Sequence, residues 1–254
     1  SAMLSGIIVQ SVLYTLLKVC LGLGFPTRSL GTLLIVLSLF NMTVGNGLAL
    51  VQTYTKRLLA YSTIAQLGYI MFSLGIGLRY DVPAAVQAGF FLLLAHAAMK
   101  ALAFLCKGTC HFYYGATRIT ELRGTAARMP LVAVAFSLAL AGLAGVPPLA
   151  GFAGKWFVLT SGVQAADALG YLGLAVFLFN SLLALGYYLP LIGTLFARKT
   201  SEVSETSEVS IQISFWMALP LVVLAALVVV LGLYPRPGLA LALLAQGFVF
   251  QTVR

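Results

Sequence analysis

The sequence predicts an all-α integral membrane protein of about seven transmembrane helices, including discontinuous helices. Of its 254 residues, 61% are hydrophobic and only 8% are charged, whereas soluble domains usually carry about a quarter charged residues. The mean hydropathy is +1.04. The apolar residues also come in runs of roughly 20, the length at which a helix crosses a bilayer. Composition and run length together exclude a soluble globular domain.

Seven apolar segments are long enough to span the membrane, and turns rich in polar residues or glycine separate them. The tail 237–254 is apolar but short and interrupted by glycine, which favours an interfacial helix or one packed on the bundle. All segments belong to one predicted transmembrane domain, 1–254. The predicted spans are 5–24, 30–53, 57–77, 84–108, 130–163, 168–196 and 211–233.

Membrane orientation explains the net charge of +9 better than nucleic-acid binding does, because the basic residues are scattered over short loops. The basic residues form two groups, one on each side of the membrane. The larger group lies in the loops after the second, fourth and sixth spans, which predicts that these loops face the cytoplasm or matrix. The polar stretch 198–210 is predicted to be a solvated loop. The larger group comprises Lys56, Arg57, Lys107, Arg118, Arg123, Arg128, Arg198 and Lys199, and the smaller one Lys18, Arg28, Arg79 and Arg236.

The fifth predicted span contains a break. Consecutive prolines lack backbone N–H groups, and the flanking glycines loosen the helix further. Unpaired backbone groups in hydrocarbon cost on the order of several kcal/mol each, so a break persists only where protein or a water-filled cavity covers it. Lys155 follows within two turns, with no acidic residue near it in sequence. The predicted break comprises Gly145, Pro147, Pro148, Gly151 and Gly154.

The ionisable residues deep within the predicted spans are all bases: His96, Lys100 and Lys155. Intramembrane ionisable residues are functional candidates by default. Histidine titrates near neutral pH and desolvation brings a buried lysine towards neutrality, so such a set could pass protons through water. His96 and Lys100 are four residues apart and share a helix face. The alternatives are a neutral His96 bonded to a backbone carbonyl and a Lys100 that extends to the interface.

Uncharged polar residues within the spans extend this candidate path. Each is either an interhelical hydrogen bond, which is the commoner role, or a step that holds water. Gln66 and Gln10 are the stronger candidates for the path. The others are Tyr61, Ser62, Thr63 and Asn180.

Patterns of most catalytic sites are missing from the sequence, which has no paired carboxylates within a span and no phosphate-binding glycine loop after a strand. Cys106, Cys110 and His111 resemble a fragment of a metal site, but small apolar residues near a helix end are the favoured interpretation. We therefore predict no catalytic residue, metal site or cofactor site in this chain.

Three motifs follow one another between residues 56 and 155. They are Lys56-Arg57-Leu58-Leu59-Ala60-Tyr61-Ser62-Thr63-Ile64-Ala65-Gln66-Leu67-Gly68-Tyr69, His96-x-x-x-Lys100-Ala101-Leu102, and Leu143-Ala-Gly-Val-Pro-Pro-Leu-Ala-Gly-Phe-x-Gly-Lys155. In order and spacing they resemble the antiporter-like membrane subunits of respiratory complex I, membrane-bound hydrogenases and Mrp-type cation/proton antiporters. The resemblance covers essentially the whole chain.

This resemblance implies the second half, from the eighth to the fourteenth helix, of a fold with two inverted repeats. It also implies a buried axis of lysines, histidines and a glutamate that carries protons. Lys155 would be the terminal residue of that axis, with His96 and Lys100 in the second repeat. Gln66 stands where several members carry histidine, and Lys56 belongs to the first motif as a supporting residue with Tyr61, Ser62 and Asn180.

Two features depart from the family pattern. The first half, with its glutamate–lysine pair, lies outside this sequence, so either a separate chain supplies it or the sequence is a piece of a longer protein. Gln10 stands where the family usually has the lysine that bridges the halves.

The subunit type is indicated by other residues. Lys155 in place of glutamate argues against the subunit-4 (M) type, and Asn180-Ser181 with Tyr187-Tyr188 favours subunit 2 (N). His96-x-x-x-Lys100 also resembles Mrp and hydrogenase members.

The implied function is proton translocation in the membrane arm of a redox-driven NADH:quinone oxidoreductase. The alternatives are an Mrp-type Na⁺/H⁺ antiporter or membrane-bound hydrogenase subunit, and a structural half-subunit that no longer pumps. NADH, FMN, iron–sulfur clusters and quinone are expected in partner subunits. The expected partners are other membrane-arm subunits, a chain that supplies the first half, and lipids, with no nucleic acid. The expected location is the mitochondrial inner membrane or a bacterial or archaeal plasma membrane.

Overall fold

In the computed structural model, the described residues (3–165, 167–197 and 211–250) form helices joined by short turns. A π-helical segment, Leu4–Ile8, leads into the first α-helix, and a 3₁₀ turn, Thr120–Leu122, precedes the fifth. The α-helices are α1 (Val9–Gly22), α2 (Thr27–Leu50), α3 (Thr55–Tyr80), α4 (Pro83–Tyr114), α5 (Thr125–Arg128), α6 (Pro130–Ala144), α7 (Ala150–Gly162), α8 (Ala168–Phe196), α9 (Phe215–Leu233) and α10 (Arg236–Phe250).

Six helical segments in this part of the chain are long and apolar enough to cross a membrane, and α6 is a shorter apolar helix. The predicted all-α membrane class is therefore confirmed. The fifth predicted span is two helices, because α6 and α7 are separated by residues 145–149, with a cis peptide bond between the two prolines.

The helix of the fourth predicted span extends beyond residue 108. Helix α4 continues to Tyr114 and stops at Gly115, whose φ of +70° places it in the left-handed region where helices commonly end. Apolar run length underestimates this helix, because its last turns are polar and yet helical. Lys107, which is predicted from the sequence to lie in a loop, is therefore inside α4. The predicted loop 198–210 lies outside the described residues.

Helix α4 is the central element of the bundle. It packs against α3, α6, α7, α9 and α10, and its 32 residues are mostly buried. Glycines bring α3 close to α2 on the other side: a Cβ at Gly45 would lie 2.5 Å from the backbone nitrogen of Ala65. Small residues permit such close approach between membrane helices. Helix α3 therefore packs against α2 as well as against α4.

The tail is helical up to Phe250 and packs on the bundle through α4 and α1. Gln87 Nε2 donates a hydrogen bond to the carbonyl of Leu239 at 3.0 Å. Of the two expectations for the tail, packing on the bundle is what the structure has. The interfacial position stays a prediction.

Asp167 joins the start of α8 to the end of α3. Its carboxylate accepts hydrogen bonds from Arg79 Nη2 at 2.7 Å, from the Tyr80 hydroxyl and from the backbone N–H of Gly170 at 3.0 Å. The Arg79 guanidinium, then Tyr80 and the Gly170 N–H, hold the pKa of this carboxyl well below its usual range. The charged form of Asp167 is therefore favoured in the folded protein.

Asp167→Asn is expected to lower the melting temperature at neutral pH and to have little effect in acid. A depressed carboxyl pKa stabilises the fold fully above the unfolded value of about 4, and this contribution is lost as the pH falls through the folded value. Melting curves at a series of pH values measure the gap between variant and wild type. Asp81→Asn, at the neighbouring turn, controls for the lost charge. A gap that persists unchanged in acid would contradict this account.

Candidate functional site: buried lysines at the helix break

The break between α6 and α7 creates the acceptors that hold Lys155. In a continuous helix the carbonyl of residue i accepts the N–H of residue i+4. For Leu143 and Ala144 those positions are 147 and 148, both prolines without an N–H. Lys155 Nζ donates to the Ala144 carbonyl at 2.9 Å and lies 3.4 Å from the Leu143 carbonyl. The negative end of the α6 dipole therefore faces this amine.

Glycines allow α7 to approach α6 and α4 closely. Gly145 ends α6 with a φ of +89°, and a Cβ there would lie 3.2 Å from Lys155 Nζ. A Cβ at Gly151 would lie only 1.8 Å from the carbonyl oxygen of Gly142. One at Gly154 would lie 2.8 Å from a methyl of Leu92. These residues therefore place the Lys155 side chain beneath the end of α6.

Lys155 is buried without a carboxylate beside it. Its side chain is 8% exposed, and Nζ lies 5.0 Å from the centre of the Tyr69 ring, a distance that suits a cation–π contact. Within the part of the chain that the structure describes, the one ion pair is Arg79–Asp167, at the opposite end of α3 from Lys56. Carbonyls and a ring face can hold either the ammonium or the amine, because neither state is locked by an opposite charge.

Lys100 is fully buried and binds α3 instead of extending to the interface. Its Nζ donates to Ser62 Oγ at 2.5 Å and to the Leu59 carbonyl at 2.8 Å. Ser62 itself donates to the Leu59 carbonyl at 3.0 Å. The expected alternative of an interfacial Lys100 therefore does not hold here.

His96 is also fully buried, and its partner is Gln10 of α1. The Gln10 amide nitrogen lies 3.0 Å from His96 Nδ1, so with the amide in this orientation Nδ1 accepts and Nε2 carries the proton. His96 Nε2 has no hydrogen-bond partner among the described residues. A buried donor left unpaired costs about 1–3 kcal/mol, which makes this a place where an internal water is favourable.

Gln66 connects the surroundings of the two lysines. Its amide nitrogen donates at 2.9 Å to the Leu143 carbonyl, the same oxygen that Lys155 Nζ approaches. The buried hydroxyl of Tyr188, on α8, lies beside Ser62 and Gln66 and has no partner among the described residues. Polar groups thus extend from the Lys100 amine through Ser62 and Gln66 to the Lys155 amine.

Sequence reasoning missed Asn46, which lies between two glycines in the apolar helix α2. Its amide nitrogen donates to the Tyr69 hydroxyl at 2.9 Å and to Asn180 Oδ1 at 3.0 Å, and its Oδ1 accepts from Tyr187 at 2.8 Å. Asn180 is accordingly part of a link between α2 and α8. A polar residue in an apolar run was the available signal for Asn46.

The remaining candidates, Lys56 and Tyr61, form no hydrogen bond with Lys100 or Lys155 in the described part of the chain. Lys56 is exposed in the first turn of α3, and Tyr61 is half-buried and packs against the apolar core. Within the described residues no group of three or more His, Cys, Asp or Glu is placed to hold a metal ion.

Comparison with known proteins identifies the family. The family model described as NADH:quinone oxidoreductase/Mrp antiporter, TM, matches residues 1–184. The chain belongs to this family. The resemblance inferred from the three motifs is therefore confirmed.

Curated relatives include F(420)H(2) dehydrogenase subunit N of Methanosarcina mazei, 36% identical over 83% of this chain and 42% of the relative. NAD(P)H-quinone oxidoreductase subunit 2 of Synechococcus sp. JA-3-3Ab is 35% identical over 71% of this chain and 33% of the relative. These names agree with the favoured subunit-2 (N) type. The chain spans less than half the length of either relative.

Solved structures share the fold. A chain of the membrane-bound sulfane sulfur reductase, an archaeal respiratory membrane complex, superposes with a TM-score of 0.82 at 29% identity, over all of this chain and 49% of that one. A chain of respiratory complex I from Thermus thermophilus gives 0.65 at 32% identity, over 82% and 44%. The Mrp complex from Dietzia sp. gives 0.84 at 24% identity, over 100% and 55%, which shows the fold alone.

Proposed function

We propose that this chain is the second half of an antiporter-like subunit and moves protons in the membrane arm of a redox-driven quinone oxidoreductase of the complex I type. The observation that carries the proposal is the line of polar groups between Lys100 and Lys155. Both amines are buried, neither is ion-paired among the described residues, and Gln66 shares a carbonyl with one of them. An ionisable residue of this kind inside a membrane marks an ion pathway by default.

Coulomb repulsion between neighbouring bases offers a means of moving protons. Lys100 lies close enough to His96 for their charges to interact, so a proton that arrives at one of them favours release from the other. The Ser62 hydroxyl can accept a proton from Lys100 while donating its own, and Tyr188 beside it can do the same. His96 faces the Gln10 side of the bundle and can extend the path through water.

Electron transfer is proposed to belong to partner subunits that carry NADH or a related donor, FMN, iron–sulfur clusters and quinone. Other membrane-arm subunits are proposed as neighbours, and the first half of the fold is proposed to come from a separate chain or from a longer form of this one. The relatives named above are archaeal and bacterial, which favours a plasma membrane over the mitochondrial one.

Reconstitution of the purified complex in sealed vesicles tests this function. Electron donor and quinone are expected to drive proton movement, recorded with a pH-sensitive dye, and the signal should be the same in sodium and in potassium buffers. An uncoupler is expected to remove the signal while quinone reduction continues. Electron transfer without any proton movement would contradict the proposal.

Two alternatives predict different outcomes of the same assay. The family description, which includes the Mrp antiporter, and the His96-x-x-x-Lys100 pattern favour a Na⁺/H⁺ exchanger, in which a sodium gradient alone would move protons without an electron donor. Gln10, in place of the family's bridging lysine, favours a structural half-subunit. That alternative predicts unchanged proton-to-electron ratios when either buried lysine is replaced.

A further inference from the structure

A groove of about 410 Å³ follows α3 on the surface of the bundle, between the N-terminal helix and α4. Its walls are apolar apart from Thr63, whose hydroxyl is already bonded to Ser5 at 2.7 Å. The groove is open, since Ile64 on its wall is 39% exposed. The wall side chains are Val9, Ala60, Thr63, Ile64, Leu67 and Phe104.

Positive charge is concentrated at one end of this groove. Lys56 and Arg57 line it in the first turn of α3. Lys107 lies on the same face of α4 as Phe104, one turn further on, is 5% exposed and is close enough to Lys56 for their charges to interact. None of the three forms an ion pair among the described residues.

Glu121, the described carboxylate nearest in sequence to Lys107, is already engaged. It accepts the backbone N–H groups of Thr117 at 2.6 Å and of Arg118 at 2.9 Å. Three cations gathered without an anion repel one another, and burial of one of them increases the cost. The cluster Lys56, Arg57 and Lys107 is thus electrostatically complementary to an anion.

We propose that this groove binds an anionic phospholipid. The phosphate would lie against the basic cluster, and an acyl chain would follow the groove towards Leu67, roughly 16 Å along α3 from Lys56 at helical rise. The basic cluster lies on the side predicted to face the cytoplasm, where anionic lipids attract basic residues and pockets between helices bind their headgroups. Inorganic phosphate could bind to the basic cluster but would leave the apolar groove empty. This site is independent of the proton path.

Thermal unfolding and native mass spectrometry of the delipidated whole complex test the site. Phosphatidylglycerol is expected to raise the melting temperature and to remain bound, whereas phosphatidylcholine and inorganic phosphate are not. Replacement of both Lys56 and Arg57 by glutamine is expected to weaken phosphatidylglycerol binding by about tenfold or more.

A second variant tests the groove without touching its charges. Ala60→Trp, on the exposed wall, should fill the groove and reduce lipid binding while circular dichroism shows an unchanged helix content. Arg236→Gln, which removes an exposed basic residue at the start of α10, should bind as wild type. Equal effects of phosphatidylcholine or of inorganic phosphate, no effect of phosphatidylglycerol, or a helix of a neighbouring chain in the groove of the assembled complex would each overturn the proposal.

Discussion

Lys155→Met is expected to reduce redox-driven proton translocation by more than about tenfold while the complex still assembles. The substitution keeps most of the side-chain volume but removes the one ionisable group at the helix break. A proton that leaves Lys100 then has no base to receive it beside the Leu143 and Ala144 carbonyls. Dye-reported proton movement is measured in vesicles at matched rates of quinone reduction.

Two further variants separate proton transfer from the structural role of this amine. Lys155→Arg keeps a cation for the carbonyls but cannot release its proton, because arginine remains charged in proteins. It is expected to preserve stability and still block translocation. Lys18→Met removes an exposed lysine outside the site and is expected to act as wild type. Normal translocation by the arginine variant would show that Lys155 only supports the break.

Gly151→Ala is expected to give the largest structural effect of a single methyl group in this chain. The new Cβ would lie 1.8 Å from the Gly142 carbonyl oxygen, so α7 must move away from α6 and carry Lys155 with it. Overpacking of this kind typically costs about 1–3 kcal/mol and occasionally more. Both the melting temperature of the complex and its proton translocation should fall.

Gly47→Ala is the matched control, because a Cβ there meets no heavy atom within 4 Å. Alanine is a better helix former than glycine by about 1 kcal/mol, so this variant is expected to be neutral or slightly stabilising. If Gly47→Ala lowered the melting temperature and proton translocation as much as Gly151→Ala does, the effect of Gly151→Ala would not come from its close contact with Gly142.

Local chain chemistry predicts the helix break and also the unpaired carbonyls that precede it. Prolines at 147 and 148 imply that the carbonyls four residues earlier are unpaired. Lys155, which binds the freed carbonyls, lies on the next helix, so the contact depends on the turn at Gly145 and on the close approach of α7 to α6 at Gly151. That close approach is a tertiary feature.

The rest of the site depends on contacts between distant segments. Lys100 with Ser62, His96 with Gln10, and Asn46 with Asn180 are separated by 38, 86 and 134 positions, respectively. Helical periodicity places Lys100 and His96 on one face, but does not reveal that they bind different helices. Tyr188 was seen only as part of a subtype motif, because nothing local places its hydroxyl beside Ser62 and Gln66.

The central claim, that Lys100 and Lys155 are two positions on one hydrated proton path, is tested most directly by locating water in the assembled complex. A high-resolution structure is predicted to show ordered water bonded to His96 Nε2 and to the Tyr188 hydroxyl, linking Ser62 to the Leu143 carbonyl. Apolar side chains that fill this space, with both groups dry and the two lysines separated, would contradict the account.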